Sequence, residues 1–308
     1  MMRADLLVLL LGGAGLALLG CSSSNGGGKE GERLQRILEA MEKLRPLHTK
    51  LGKPGPHDWL AHHHEPGQSF AQYVRSEPTG PTRARHTVYV QPLGDFSKAQ
   101  RQIVANAADF VGRYFDLEVK VRDEMPLSAI PDRARRVHPT WGVKQILTTY
   151  VLDEVLAPRL PDDAVAYIAF TTSDLWPGRG WNFVFGQASL SRRVGVWSIY
   201  RNGDPERGEG ARRLCLLRTI KTATHELGHM LSMHHCTAYE CNMCGSNHRE
   251  EADRRPLACC PECVSKIWWI TGANPIERYR RLADFCNEHG LQEQRDFYQK
   301  SIQALRAD

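Results

Sequence analysis

Thr224-His225-Glu226-Leu227-Gly228-His229 sets two imidazoles four positions apart, with a carboxylate beside the first. On an α-helix, positions i and i+4 share one face, so both rings can hold a single zinc ion. Glu226 then reaches a water on that ion rather than the ion itself. His235 lies six residues beyond His229, too far for the same helical face, and the chain must turn to bring a third imidazole to the metal. Three histidines leave the fourth position for water, whose pKa zinc lowers toward about 7. With Glu226 as general base, passing the water's proton to a leaving amine, this is chemistry for hydrolysing a peptide bond. A zinc-bearing scaffold or peptide-binding lipoprotein without catalysis is the rival, but metal binding alone does not need Glu226.

Nine cysteines supply a second signal. Cys236, Cys241, Cys260 and Cys263 form C-x4-C followed by C-x2-C, the spacing of a closed tetrahedral zinc site that organises structure. Two zinc ions per chain are therefore expected, one catalytic and one structural. Cys236 follows His235 directly, so this second site would tie the loop of the third histidine to the C-terminal segment. Cys244 and Cys259 could replace their neighbours as ligands, and disulfides are the alternative if the chain reaches an oxidising compartment. Cys215 and Cys286 stand apart.

These groups need a frame. Leu214 to Thr222 is apolar and helix-compatible and leads into the histidine motif. Upstream, His86 to Leu93 alternates as a strand, and Ser97 with Gln100 forms a capping box. That box opens a helix whose Ile103, Ala107, Phe110, Val111 and Tyr114 share a face. Leu117 to Val121 reads as a strand, Val143 to Leu156 as a helix, and Ala164 to Thr172 as a buried central strand. Trp181 to Ala188 and Val194 to Tyr200 are short and β-prone. Alternation of strands and helices implies an α/β architecture of α+β type, a mixed sheet with helices packed on it.

The N-terminus poses another problem. Leu6 to Leu11 and Ala14 to Leu19 are apolar behind Arg3 and run into Leu18-Leu19-Gly20-Cys21, which resembles a bacterial lipobox. Residues 1–21 are read as a signal peptide ending at a lipidated Cys21. That makes the protein an exported, membrane-anchored lipoprotein of periplasm or cell surface, with a cytosolic protein as the alternative. Residues 22–80 are read as a flexible tether and irregular extension, with a helical pattern only from about Leu34 to Leu44, and residues 81–308 as the main domain. His62-His63-His64 is expected to be a solvated loop, since three consecutive positions cannot converge on one ion from a regular element. A formal charge of +5, with no block of like charges, offers no nucleic-acid footprint. The expected partners are a peptide or protein substrate, and the membrane through the lipid anchor alone; the chain is expected to be a monomer.

The extended run from His225 through His235-Cys236 to Cys241 and Met243, closing with Cys260-Pro-Glu-Cys263, resembles the archaemetzincins, a metzincin-type family of zinc metallopeptidases. Trp181 to Ala188, Gly245 to Leu257 and Glu277-Arg278-Tyr279 are similar to stretches of its eukaryotic-type members. The likeness spans roughly Val88 to Leu291. It implies a metzincin-like fold: a larger N-terminal subdomain with a twisted mixed sheet over two long helices, and a small, mainly helical, zinc-stapled C-terminal subdomain below the cleft. It also implies that Met243 is the Met-turn residue beneath the imidazoles, and that the activity is that of a peptidase, often an aminopeptidase. One departure stands out. Ser232 occupies the position where metzincins usually carry a glycine in a left-handed conformation; a β-carbon there costs roughly 1 kcal/mol, so a differently shaped turn is open to this chain.

Overall fold

The computed structural model describes residues 26–307; Cys21 and the stretch expected to be a signal peptide lie outside the described residues. Two strands set the frame. β1 (Thr87–Leu93) and β5 (Ala164–Thr171) are buried along their whole length, as expected of runs rich in Val, Ile, Tyr and Phe. With β2 (Glu118–Val121), β7 (Gly186–Ser189) and β8 (Val194–Ser198) they form a five-stranded sheet in the order β2-β1-β5-β8-β7. The first four strands are parallel and β7 is an antiparallel edge.

Strand alternation divides the core. Val88, Val90, Ala166, Ile168 and Trp197 join a core with α4 (Lys98–Phe115) and α6 (Glu209–Met230). Tyr89, Tyr167, Ala169, Val194 and Val196 join a second core on the other face. There they meet Ile146, Leu152 and Leu156, next to a three-stranded sheet of β3 (Arg135–Val137), β4 (Lys144–Leu147) and β6 (Asp174–Trp176). The α4 capping box is reciprocal, with Gln100 N to Ser97 Oγ at 3.2 Å and Ser97 N to Gln100 Oε1 at 2.9 Å. All five apolar residues expected on its inner face are buried.

Three expectations are corrected. The segment expected as a helix from Val143 begins as β4, because residues 144–147 pair with β3 and β6 and the Gln145 amide donates to buried Asp174 Oδ2 at 2.8 Å. The helix begins only at α5 (Thr148–Tyr150) and continues as a π-helical stretch, Val151–Leu156. Cross-strand pairing overrides local propensity there. In the region expected as a strand from Trp181, laddering starts only at Gly186; before it, Val184 makes one isolated bridge to Leu175.

The third correction concerns the extension. α1 (Gly26–Leu44) starts inside the segment expected to be a tether, and its Ile37, Ala40, Met41 and Leu44 are buried at helical spacing. This stripe packs on α8 (Pro261–Thr271) and α10 (Gln292–Arg306), whose burial of apolar surface outweighs the poor helix propensity of the glycines. After a mostly irregular stretch containing α2 (Trp59–His62), a Ser69–Gln72 capping box opens α3 (Phe70–Arg75), with Phe70 and Tyr73 buried. The extension therefore belongs to the main core. The C-terminal part is helical, with α7 (Arg249–Arg254) and α9 (Pro275–Glu288) completing it. No helix among the described residues is long and apolar enough to cross a membrane.

Candidate metal centres and the cleft

α6 begins after Gly208, whose φ of 111° suits glycine, and is buried on several faces through Cys215, Leu216, Ile220, Ala223 and Leu227. Its last turns carry His225, Glu226 and His229. Beyond Met230 the chain reverses at Ser232, which adopts φ 66°. The serine thus keeps the left-handed turn that a glycine would make, contrary to the different shape left open above. Its Oγ accepts from Thr79 N at 3.0 Å and its carbonyl accepts from Gln68 Nε2 at 3.2 Å, fixing the strained residue from both sides.

The reversal brings His235 back to the helix. Ligand atoms of His225, His229 and His235 lie within 4.8 Å of one another, with Nε2 of His225 and His229 3.0 Å apart. Each Nδ1 has an acceptor: Asn242 O at 2.8 Å for His225, Met233 O at 2.6 Å for His229, and the Glu65 carboxylate at 2.9 Å for His235. Donation from Nδ1 fixes the tautomer that leaves Nε2 free to ligate. Burial, reinforced by the neighbouring imidazoles, pushes His225 down to about 4 and His229 to about 3, so both rings are neutral near pH 7. Burial also raises the Glu226 carboxyl, against the pull of His229 and His235. Three imidazoles converging on one point, with no acid among them, are a donor set that fits zinc. His234 is exposed and outside the group. His62, His63 and His64 are exposed, His63 stacking on Trp59, and none joins a metal group among the described residues.

Cys236, Cys241, Cys260 and Cys263 converge within the same limit, all buried. Cys236 and Cys260 Sγ are 3.6 Å apart, and Cys260 N donates to Cys241 Sγ at 3.2 Å. Four buried thiols this close cannot ionise together without a cation, and a soft divalent ion meets that demand. Cys244 and Cys259 lie outside the four: the Cys244 thiol donates to Tyr239 O, and the Tyr114 hydroxyl donates to Cys259 Sγ. All eight described cysteines are free thiols.

Met243 is buried against the helix. A β-carbon on Gly228 would lie 2.7 Å from the Met243 sulfur, so the glycine admits the thioether beneath the turn that separates the two helical histidines. Asn242 secures this loop, its side chain donating to Thr224 Oγ1 at 2.8 Å.

The triad opens on a cleft walled by Trp59, Trp181 to Gly186, Ser246 and Asn247, with a side pocket lined by Phe185, Lys221, Asn242 and Arg255. Sequence reasoning had missed Trp59, Glu65, Gln68, Asn242 and Lys221. They sit in irregular segments or stand singly, without period or motif. A third group, Asp58, His248 and Glu251, clusters at the rim. Glu251 accepts from Trp59 N, Asn247 N and Arg255, and Asp58 from Gly55 N and Arg254. Its carboxylates are thus occupied as a latch for the extension.

An open histidine triad on a helix with an intervening glutamate, beside a closed thiolate cluster, defines a metal-dependent hydrolase. The model of peptidase family M54 matches residues 158–268. Archaemetzincin-2 of Rattus norvegicus is 33% identical over 292 residues, covering 84% of this chain and 80% of that protein. The human archaemetzincin-2 is 31% identical, covering 82% and 79%. A solved archaemetzincin from Methanopyrus kandleri is 27% identical and covers 63% of this chain and 99% of that one, with a TM-score of 0.48. The chain belongs to the archaemetzincins and is a zinc metallopeptidase acting on peptides or proteins. A match to 84% of the chain is longer than residues 88–291 can supply, so the similarity reaches beyond the limits read from the motifs.

Proposed function

We propose that His225, His229 and His235 hold the catalytic zinc, that Glu226 is the general base, and that Cys236, Cys241, Cys260 and Cys263 hold a second, structural zinc. The observation that carries this is the convergence of three imidazoles, each braced at Nδ1, beside a carboxylate that is no part of their group. The chemistry supplied by bound zinc is polarisation of the scissile carbonyl and acidification of a water. Glu226, raised by burial, takes the proton of the attacking water and delivers it to the departing amine nitrogen. The chain leading into the edge strand β7, from Gly180 to Gly186, lines the cleft, and an unpaired edge can align an extended peptide by main-chain hydrogen bonds.

Recognition of a free substrate amine calls for a carboxylate to spare. Among the residues lining the cleft and side pocket, the one acid is Glu226, already committed as base. This favours cleavage within a chain over amino-terminal trimming, and peptides with blocked and free amino termini distinguish the two. The deciding experiment is hydrolysis of a mixed fluorogenic peptide library by wild type and Glu226→Ala, with zinc per chain measured on both. Two zinc ions retained with turnover lost supports the assignment. Metal bound by a wild type that cleaves nothing overturns it in favour of a zinc scaffold.

For location, the lipobox-like Leu18-Leu19-Gly20-Cys21 supports export and anchoring through lipidated Cys21. Incorporation of a labelled fatty acid by wild type and not by Cys21→Ser is the expected result; equal labelling removes the anchor.

A further inference from the structure

We propose that Glu65 is a positioning residue of the metal centre, holding His235 so that its Nε2 faces the ion, and that the N-terminal extension thereby completes the site instead of covering it. This rests on the reading of the three histidines as ligands.

The three rings are braced differently. His225 and His229 donate to main-chain carbonyls of Asn242 and Met233, acceptors that come with the local fold. His235 donates to a carboxylate 170 positions away in the sequence, with Nδ1 at 3.0 and 2.9 Å from its two oxygens. Among the described residues Glu65 pairs with no lysine or arginine, and its one charged-group contact is with this ring. A carboxylate behind an imidazole both fixes the ring and strengthens its other nitrogen as a donor to a cation.

The extension is anchored on either side of Glu65. Ahead of it, Trp59 N donates to the buried Glu251 at 3.0 Å. The Trp59 indole lies where a β-carbon on Gly245 would be and meets the His235 ring edge-on at 5.3 Å. Behind it, Gly67 adopts φ 69° against the Thr237 hydroxyl. Gln68 Oε1 accepts from His234 N at 3.2 Å and from Lys266 Nζ at 3.0 Å, and Phe70 N donates to Glu262 at 2.7 Å. All these partners lie between residues 234 and 266, the stretch that carries the third histidine and the four cysteines. A cover that must be shed would not be tied into the ligand loop in this way.

The test uses the full-length chain, with Glu65→Gln and Glu65→Ala compared with wild type. Zinc release to a chromogenic chelator is titrated. Cobalt added to enzyme whose cysteine site still holds zinc then reads the histidine site by its d–d bands, and full cobalt reconstitution reads the cysteine site by its thiolate charge-transfer band. Glu65→Ala is expected to weaken metal binding at the histidines by about 10–100-fold and to shift the d–d bands, with the thiolate band unchanged. Glu65→Gln, which keeps an acceptor but loses the charge, is expected to fall between it and wild type. In zinc-loaded enzyme kcat should follow the same order, with KM nearly constant. The proposal is overturned if both variants hold histidine-site metal within about twofold of wild type, or if both sites weaken by one factor, which would assign Glu65 to general packing. A wild type binding no metal at the histidines removes the ligand assignment first, and this proposal with it.

Discussion

The histidine and cysteine clusters are one peptide bond apart, at His235 and Cys236, yet their surroundings differ in almost every respect. The thiols are sealed, with all four Sγ atoms inside the core between the Met243 loop and the start of α8. The imidazoles are only partly buried, face a cleft, and have a carboxylate beside them. A closed set of four anionic ligands satisfies a metal and leaves nothing for a substrate, whereas an open set of three neutral ligands leaves a position for chemistry. The same backbone turn serves both, so the sealed cluster can act as the anchor from which the open one is held in place.

Breaking the sealed side should have the largest effect. Cys260→Ser leaves three buried thiols around an incomplete site and is expected to cost several kcal/mol, on the order of a 10 °C or greater fall in Tm, with loss of zinc from both clusters; melting curves and metal analysis check this. On the open side, Glu226→Gln should lower turnover about 1000-fold while Tm and zinc content stay at wild-type values, as steady-state kinetics with metal analysis will test. At the seam, Gly228→Ala drives a β-carbon into the Met243 sulfur and is expected to destabilise by about 1–3 kcal/mol, measurable by urea unfolding. The smallest effect is expected at the turn. Ser232→Ala keeps the positive φ but loses the bond from Thr79 N, for about 1 kcal/mol. Ser232→Gly relieves the backbone and loses the same bond, and should stay within about 0.5 kcal/mol of wild type.

Local signals were the legible ones. The capping box at Ser97 and Gln100, the buried runs of β1 and β5, and the helical spacing of His225 and His229 each state their structure over a few neighbouring residues. The C-x4-C and C-x2-C pairs likewise identified a set of four cysteines that the fold brings together. What stayed hidden depends on distant partners. Lys144–Leu147 reads as the start of a helix until β3 and β6 are present to pair with it. Residues 58–68 carry no periodicity, and the value of Trp59, Glu65 and Gln68 lies in what they meet beyond residue 230. Glu65 in particular has no neighbour that marks it, because its partner is a ring on a loop that exists only once α6 and the cysteine cluster are formed.

That long span has a consequence for synthesis. Translation proceeds at about 5–20 residues per second, so Glu65 leaves the ribosome roughly 10–30 seconds before His235, and Cys263 follows later still. Until then the extension can form α1 and α3 but has no surface on which to bury their apolar faces. The native architecture therefore closes at its two ends last, giving a slow, high-contact-order step in which N-terminal and C-terminal segments find each other. In the nascent chain, Trp59, Phe70 and Tyr73 lack their native packing partners throughout that interval.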